Sequence, residues 1–166
     1  MSMELIHHFR MMARYNRIAN QRVYECCAQL GDDEYRRERA GSFGSIHSLL
    51  NHILLGDQIW MARFKGNGQS TPVLNTVLFD NFGDLRVARE EMDADMESFF
   101  SGAGPEFLER ELVYVNSLKQ ECRDATAMAV SHLFNHQTHH RGQVHVMLSQ
   151  SSVRPPALDL HRIINP

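Results

Sequence analysis

The chain is short of the features that would place it in several large classes of protein. It has three cysteines in 166 residues: Cys26 and Cys27 are adjacent and Cys122 stands alone. No Cys-x-x-Cys pair exists to build a zinc knuckle, and an odd count argues against a disulfide framework. Positive charge is not in excess, with 17 Lys and Arg against 20 Asp and Glu and a net charge of -3. The one basic cluster, Arg36, Arg37 and Arg39, is surrounded by Asp32, Asp33, Glu34 and Glu38. That excludes the usual electrostatic footprint for nucleic acid. No apolar run approaches the roughly 18–20 residues that span a bilayer, and Met-Ser-Met-Glu-Leu lacks the charged-then-apolar layout of a signal peptide. We therefore expect no membrane partner, no nucleic-acid partner and a reducing, cytoplasmic setting.

What is present is helical periodicity and histidine. With 43% hydrophobic residues the chain can bury a core, and its length fits one domain over residues 1–166. The stripe Leu5, Phe9, Met12, Asn16, Ala19, Val23, Cys26, Leu30 alternates steps of four and three, predicting a first helix over about 3–30. A polar loop is expected to run on through Gly41. Ser42-Phe-Gly-Ser45 offers caps for a second helix over about 45–65, with Ile46, Leu49, Leu50, Ile53, Trp60 and Phe64 inward. Gly66-Asn-Gly68 ends it, and residues 66–80 read as a long loop containing Pro72. A third helix follows from Asp80 or Asp84 to about Phe100, stopped by Ser101-Gly-Ala-Gly-Pro105. Glu111-Leu-Val-Tyr-Val115 reads as one arm of a small hairpin turning near Asn116-Ser117. The fourth helix spans about 124–150, with Ala125, Ala129, His132, His136, His140 and Met147 on one face. Four long amphipathic helices make an all-α four-helix bundle. The long loops leave its connectivity open.

The fourth helix carries His132-Leu-Phe-Asn-His136-Gln-Thr-His139-His140-Arg-Gly-Gln143, four of the ten histidines. At about 100° per residue, His132, His136, His139, His140 and Gln143 fall within an arc of about 100°. Burying several imidazoles together is costly unless each finds a partner, and a divalent cation is such a partner. His132/His136 and His136/His140 are both spaced i,i+4 and His136/His139 i,i+3, so spacing does not choose a pair. Two histidines rarely complete a site, and His52 on the second helix is the best third candidate. A dinuclear carboxylate site needs Glu three residues before His, but Ala129, Leu133 and Leu49 stand there. Asn16, on an apolar stripe, reads as a buried structural amide with a lesser claim on the metal's surroundings. Asp57 reads as one half of a buried ion pair, Arg141 being one option for the other half. Gly142 reads as a position of close helix packing.

Several segments resemble the DinB-like family, known also through its YfiT-like relatives. They are Tyr15-Asn16-Arg17 with Ala19-Asn20, Gly44-Ser45-Ile46-His47 leading to Asn51-His52-Ile53-Leu54, Asp57-Gln-Ile-Trp60, the His132–Gln143 segment, and Pro155-Pro156-Ala-Leu-Asp159-Leu160. The resemblance covers nearly the whole chain. It implies an up-down-down-up bundle, frequent homodimers, and one divalent metal, nickel or zinc, on three histidines. Carried over, those are His52, His136 and His140, with His132 and His139 as neighbours. Relatives include enzymes using low-molecular-weight thiols. The resemblance thus implies a metal-dependent enzyme, a thiol S-transferase or a hydrolase, acting on a small molecule by activating water or a thiol cosubstrate. Asn16, Asp57 and Gln143 would orient ligands or substrate. The competing expectation is a bundle whose metal stabilises fold or dimer without turnover.

Overall fold

A computed structural model describes residues 2–67, 73 and 75–165. The elements in chain order are α1 (Ser2–Cys27), α2 (Asp32–Arg36), α3 (Ile46–Phe64), α4 (Phe82–Gly102), α5 (Pro105–Leu108), β1 (Glu111–Val115), β2 (Glu121–Ala125), α6 (Thr126–Ser149) and α7 (Leu160–Ile164). The expected polar loop after the first helix holds the short α2, and α1 ends at Cys27, earlier than its apolar stripe suggests. Pro72 and Gly68 lie outside the described residues.

Local chemistry sets the helix starts. Ser45 caps α3 by accepting a hydrogen bond from the Ser48 amide at 3.1 Å. Asn81 caps α4 by accepting from the Gly83 and Asp84 amides at 2.7 and 3.2 Å. Pro105 sits in the first turn of α5, where its missing N–H is not required. The hairpin forms as expected, with Glu111 opposite Ala125 and Val115 opposite Glu121. Its turn is held by Asn116 Oδ1, which accepts from the Leu118 and Gln120 amides, with Lys119 in the left-handed region at φ 61°.

Side-chain pairs give the helix directions. Arg17 meets Glu97 and Asn20 meets Asp93, so α1 and α4 are antiparallel. Phe9 stacks on Phe134 and Arg141 reaches Asn16, so α1 and α6 run parallel. Arg89 meets Asp57 and Lys65 meets Asp95, so α3 and α4 run parallel. His52 meets His140 and Trp60 meets His132, so α3 and α6 are antiparallel. The order is therefore up-down-down-up. Ile163 of α7 docks on Tyr15 and Ala19 of α1.

The core is divided. One apolar cluster holds Phe9, Phe64, Met96, Phe100, Leu133 and Phe134. The other holds Val23, Leu50, Leu54, Leu85, Val144 and Leu148. Between them, every long helix contributes buried polar residues: Asn16 and Asn20 from α1, Asp57 from α3, Arg89 and Asp93 from α4, Gln137 and Arg141 from α6. Arg89 Nη1 donates to Asp57 Oδ2 at 2.5 Å, and its Nη2 lies 2.9 Å from Asp93 Oδ1. Gln137 donates to the same Asp57 oxygen. Arg141 Nη1 donates to Asn16, Asn20 and Gln137 oxygens at 2.6, 2.9 and 3.1 Å. Asn20 closes the circuit by donating to Asp93 at 2.9 Å. Asp57 thus pairs with Arg89 rather than Arg141, and Asn16 is the buried structural amide expected of it.

The belt holds two guanidiniums and two carboxylates. Burial alone would lower the Arg89 pKa, but Asp93 and Asp57 more than offset it, so the net direction is upward. Removing one member leaves its partners charged and buried. We expect Arg89→Met to cost roughly 3–5 kcal/mol in urea unfolding. A loss under about 1 kcal/mol would show that the belt closes without its central cation.

Candidate metal centre

The three histidines His52, His136 and His140 converge at the seam between α3 and α6. His52 Nε2 lies 3.2 Å from His136 Nε2 and 3.3 Å from His140 Nε2. Each residue offers one ligand atom within 4.8 Å of the others, so the group could hold a metal ion. A tetrahedral ion with metal–nitrogen distances of about 2.0–2.1 Å sets its imidazole nitrogens about 3.3 Å apart, so the donors fit in type and spacing.

The lone pairs point inward for identifiable reasons. His140 Nδ1 lies 2.8 Å from Gln143 Oε1. An oxygen can only accept, so Nδ1 carries the proton and Nε2 presents its lone pair. The Gln143 amide is itself oriented, with its nitrogen 3.4 Å from His139 Nε2. His136 is held differently. Its Nδ1 is buried without a hydrogen-bond partner among the described residues, so packing fixes the ring. The ring lies on the α3 backbone at Gly56, where an added Cβ would come within 2.8 Å of His136 Cε1. Burial, then His140 and His52, push the His136 pKa down to about 3, and burial also lowers that of His140. His136 is therefore neutral at pH 7, the form that binds metal. Phe43 covers one side, stacked on His52 with ring centroids 4.0 Å apart and edge-on to His140.

On the other side a cleft of about 260 Å³ opens from His52 and His136 toward Trp60, Arg63, Tyr114 and His132. Trp60 and Arg63 come from α3, Tyr114 from the hairpin. The hairpin therefore forms a wall of the cleft, with the Tyr114 hydroxyl donating to Asp124 at 2.8 Å.

The remaining candidates fall in two groups. His139 and Gln143 adjoin His140, and His132 lies against Trp60, 6.0 Å from His136 by ring centroids. Asn16 of α1 and Asp57 of α3 belong to the buried belt, away from the triad. His47 is buried elsewhere, with Nδ1 3.3 Å from the Tyr35 hydroxyl. Two expectations need correction. The histidine line is only partly buried: Ala129, His140 and Met147 on it are buried, alongside Leu133, Phe134, Gln137, Arg141 and Val144. His132 is exposed, and Ala125 is an exposed residue of β2. Gly142 is not a close-packing position either, since a Cβ there would meet open space. Three cleft residues escaped notice. Trp60 read as core, and Arg63 and Tyr114 were unmarked. A signal existed for Arg63: eleven residues after His52, it falls within about 20° of the same helix direction.

The glycine contact yields a test in which stability and binding part ways. Gly56→Ala should raise helix propensity by about 1 kcal/mol while displacing the His136 ring. We expect the melting temperature of the metal-free protein to hold and divalent-metal affinity to fall by roughly 10–100-fold, the usual range for losing a ligand's support. Unchanged zinc affinity by calorimetry would show that His136 does not need its seat on α3.

Comparison with known proteins agrees with this architecture. A family model described as "DinB family" matches residues 1–166. A relative, "Protein DinB" of Bacillus subtilis (strain 168), is 26% identical over 146 residues, covering 82% of this chain and 82% of the relative. With a match over its whole length, a bundle and a histidine cluster able to hold a metal, the chain belongs to the DinB family.

Proposed function

We propose that His52, His136 and His140 are the ligands of one divalent metal ion, nickel or zinc, and that the protein is a metal-dependent enzyme. The observation that carries this reading is the imidazole trio at the end of an open cleft, with His52 Nε2 3.2 Å from His136 Nε2 and 3.3 Å from His140 Nε2. Three protein ligands with access from one side is the pattern of a catalytic site, whereas a structural site is closed by four. The cleft therefore favours catalysis over a metal that only stabilises fold or dimer.

A divalent ion at the triad would act as a Lewis acid, supplying a nucleophile from water or a thiol near neutral pH. The chain does the rest. Gln143 fixes the His140 tautomer, Gly56 seats His136, and Phe43 keeps water from the flank of His52. Trp60 and Tyr114 give the cleft apolar walls for a small-molecule substrate. A transfer to or from a low-molecular-weight thiol is the reaction we favour, and hydrolysis is the next. The active form we propose is a cytoplasmic homodimer.

Metal analysis of untagged protein should find about one ion per chain, and His52→Ala should lose most of it. Thiol-transfer activity should vanish on chelation and return with the restored ion. Full metal content and an unchanged melting temperature in His52→Ala would sink the ligand assignment. Activity indifferent to chelation would sink the enzyme reading.

A further inference from the structure

The cleft beside the triad carries a second, differently built feature. Arg63 stands over two aromatic faces, its guanidinium carbon 4.6 Å from the Trp60 ring and 4.2 Å from the Tyr114 ring. Its Nη2 donates to the Val115 carbonyl at 3.3 Å. A free arginine side chain samples many rotamers, and ordering one is costly. Here the rings and the carbonyl hold the fork in place before any ligand arrives. The surroundings add to this. Among the described residues lining the cleft there is no Asp or Glu, and Arg63 is its one arginine or lysine. Burial lowers the Arg63 pKa, so its surroundings disfavour the cation and an arriving anion would offset that cost.

We propose that the cleft binds an elongated small molecule bearing a carboxylate, with the carboxylate on Arg63 and the reacting group at the histidine triad. A planar guanidinium matches a carboxylate through two parallel hydrogen bonds. The length follows from α3. His136 is seated at Gly56, and the guanidinium lies over Trp60, four residues or about 6 Å further along the axis. The ligand must bridge at least that distance, which a small inorganic anion does not. Ile59, between Gly56 and Trp60 on α3, lines the same cleft. The reacting end of this assignment rests on the metal-centre reading; the anionic end rests on Arg63, Trp60 and Tyr114 alone.

Trp60 is the chain's single tryptophan, so intrinsic fluorescence reports on this cleft. The test titrates zinc-loaded protein with 6-mercaptohexanoate, 6-mercaptohexanol and hexanoate. We expect 6-mercaptohexanoate to bind at least about tenfold more tightly than 6-mercaptohexanol, roughly 1.4 kcal/mol. Arg63→Met should reduce that preference to under about twofold, and Arg63→Lys, a charge without the fork, should keep part of it. Hexanoate should bind metal-free protein with the same dependence on Arg63. Equal binding of the two thiols, or a preference that survives Arg63→Met, would overturn the carboxylate assignment. If hexanoate matches 6-mercaptohexanoate on zinc-loaded protein while the Arg63 dependence stays, the reacting end is not at the triad. That outcome overturns the placement of the reacting group at the metal and leaves the anion site standing.

Discussion

Everything else in this bundle is arranged around the ion pair between Arg89 and Asp57, buried to 2% and 0% exposure. A charge so far from water is tolerable only with opposite charge and hydrogen bonds close by. Asp93, Gln137, Arg141, Asn16 and Asn20 supply them. Because these residues come from all four long helices, the circuit closes in one mutual arrangement of the helices. Apolar clusters above and below it would tolerate sliding by a turn far better, since their contacts are not directional. The belt is best understood as what sets register, with the two clusters contributing most of the favourable free energy.

The same belt aims the histidines. Gln137 and Arg141 must face inward to satisfy Asp57 and the α1 asparagines. Their sequence neighbours His136 and His140 are thereby rotated about 100° around α6, onto the flank that meets α3. On α3, Asp57 faces the belt and the adjacent Gly56 receives the His136 ring. Two adjacent pairs on α6 and one on α3 thus divide their work, one residue of each fixing the helix and the other building the site. This explains why the histidines lie at the edge of the core and why the cleft can open beside them.

Much of this was readable in the sequence. The four helices, the Ser45 cap and the hairpin follow from periodicity and capping residues whose physics is local. The i,i+4 histidines and His52 were visible as donors. Spacing alone left the choice among His132, His136, His139 and His140 open, because helical angle does not reveal which flank meets a neighbour. The polar belt misled the reading of α6: with Gln137 and Arg141 on the buried side, the histidine stripe looked more core-like than it is. Arg89 drew no notice because a lone arginine on a helix is normally solvated, and its pairing with Asp57 across on α3 is a tertiary contact. Tyr114 and the hairpin enter the cleft through tertiary placement, which no local pattern encodes.

The parallel course of α3 and α4 has a consequence for how the protein comes to be. His52 meets His136 and His140 across 84 and 88 residues of chain, and α6 is the last of the long helices to be made. Until α6 is made, Asp57 lacks Gln137 and the α1 asparagines lack Arg141. Only the arrival of α6 completes the belt and the histidine trio, and it completes them together. An ion held by all three histidines favours the finished fold, so its concentration would bear on the last docking step of maturation by mass action.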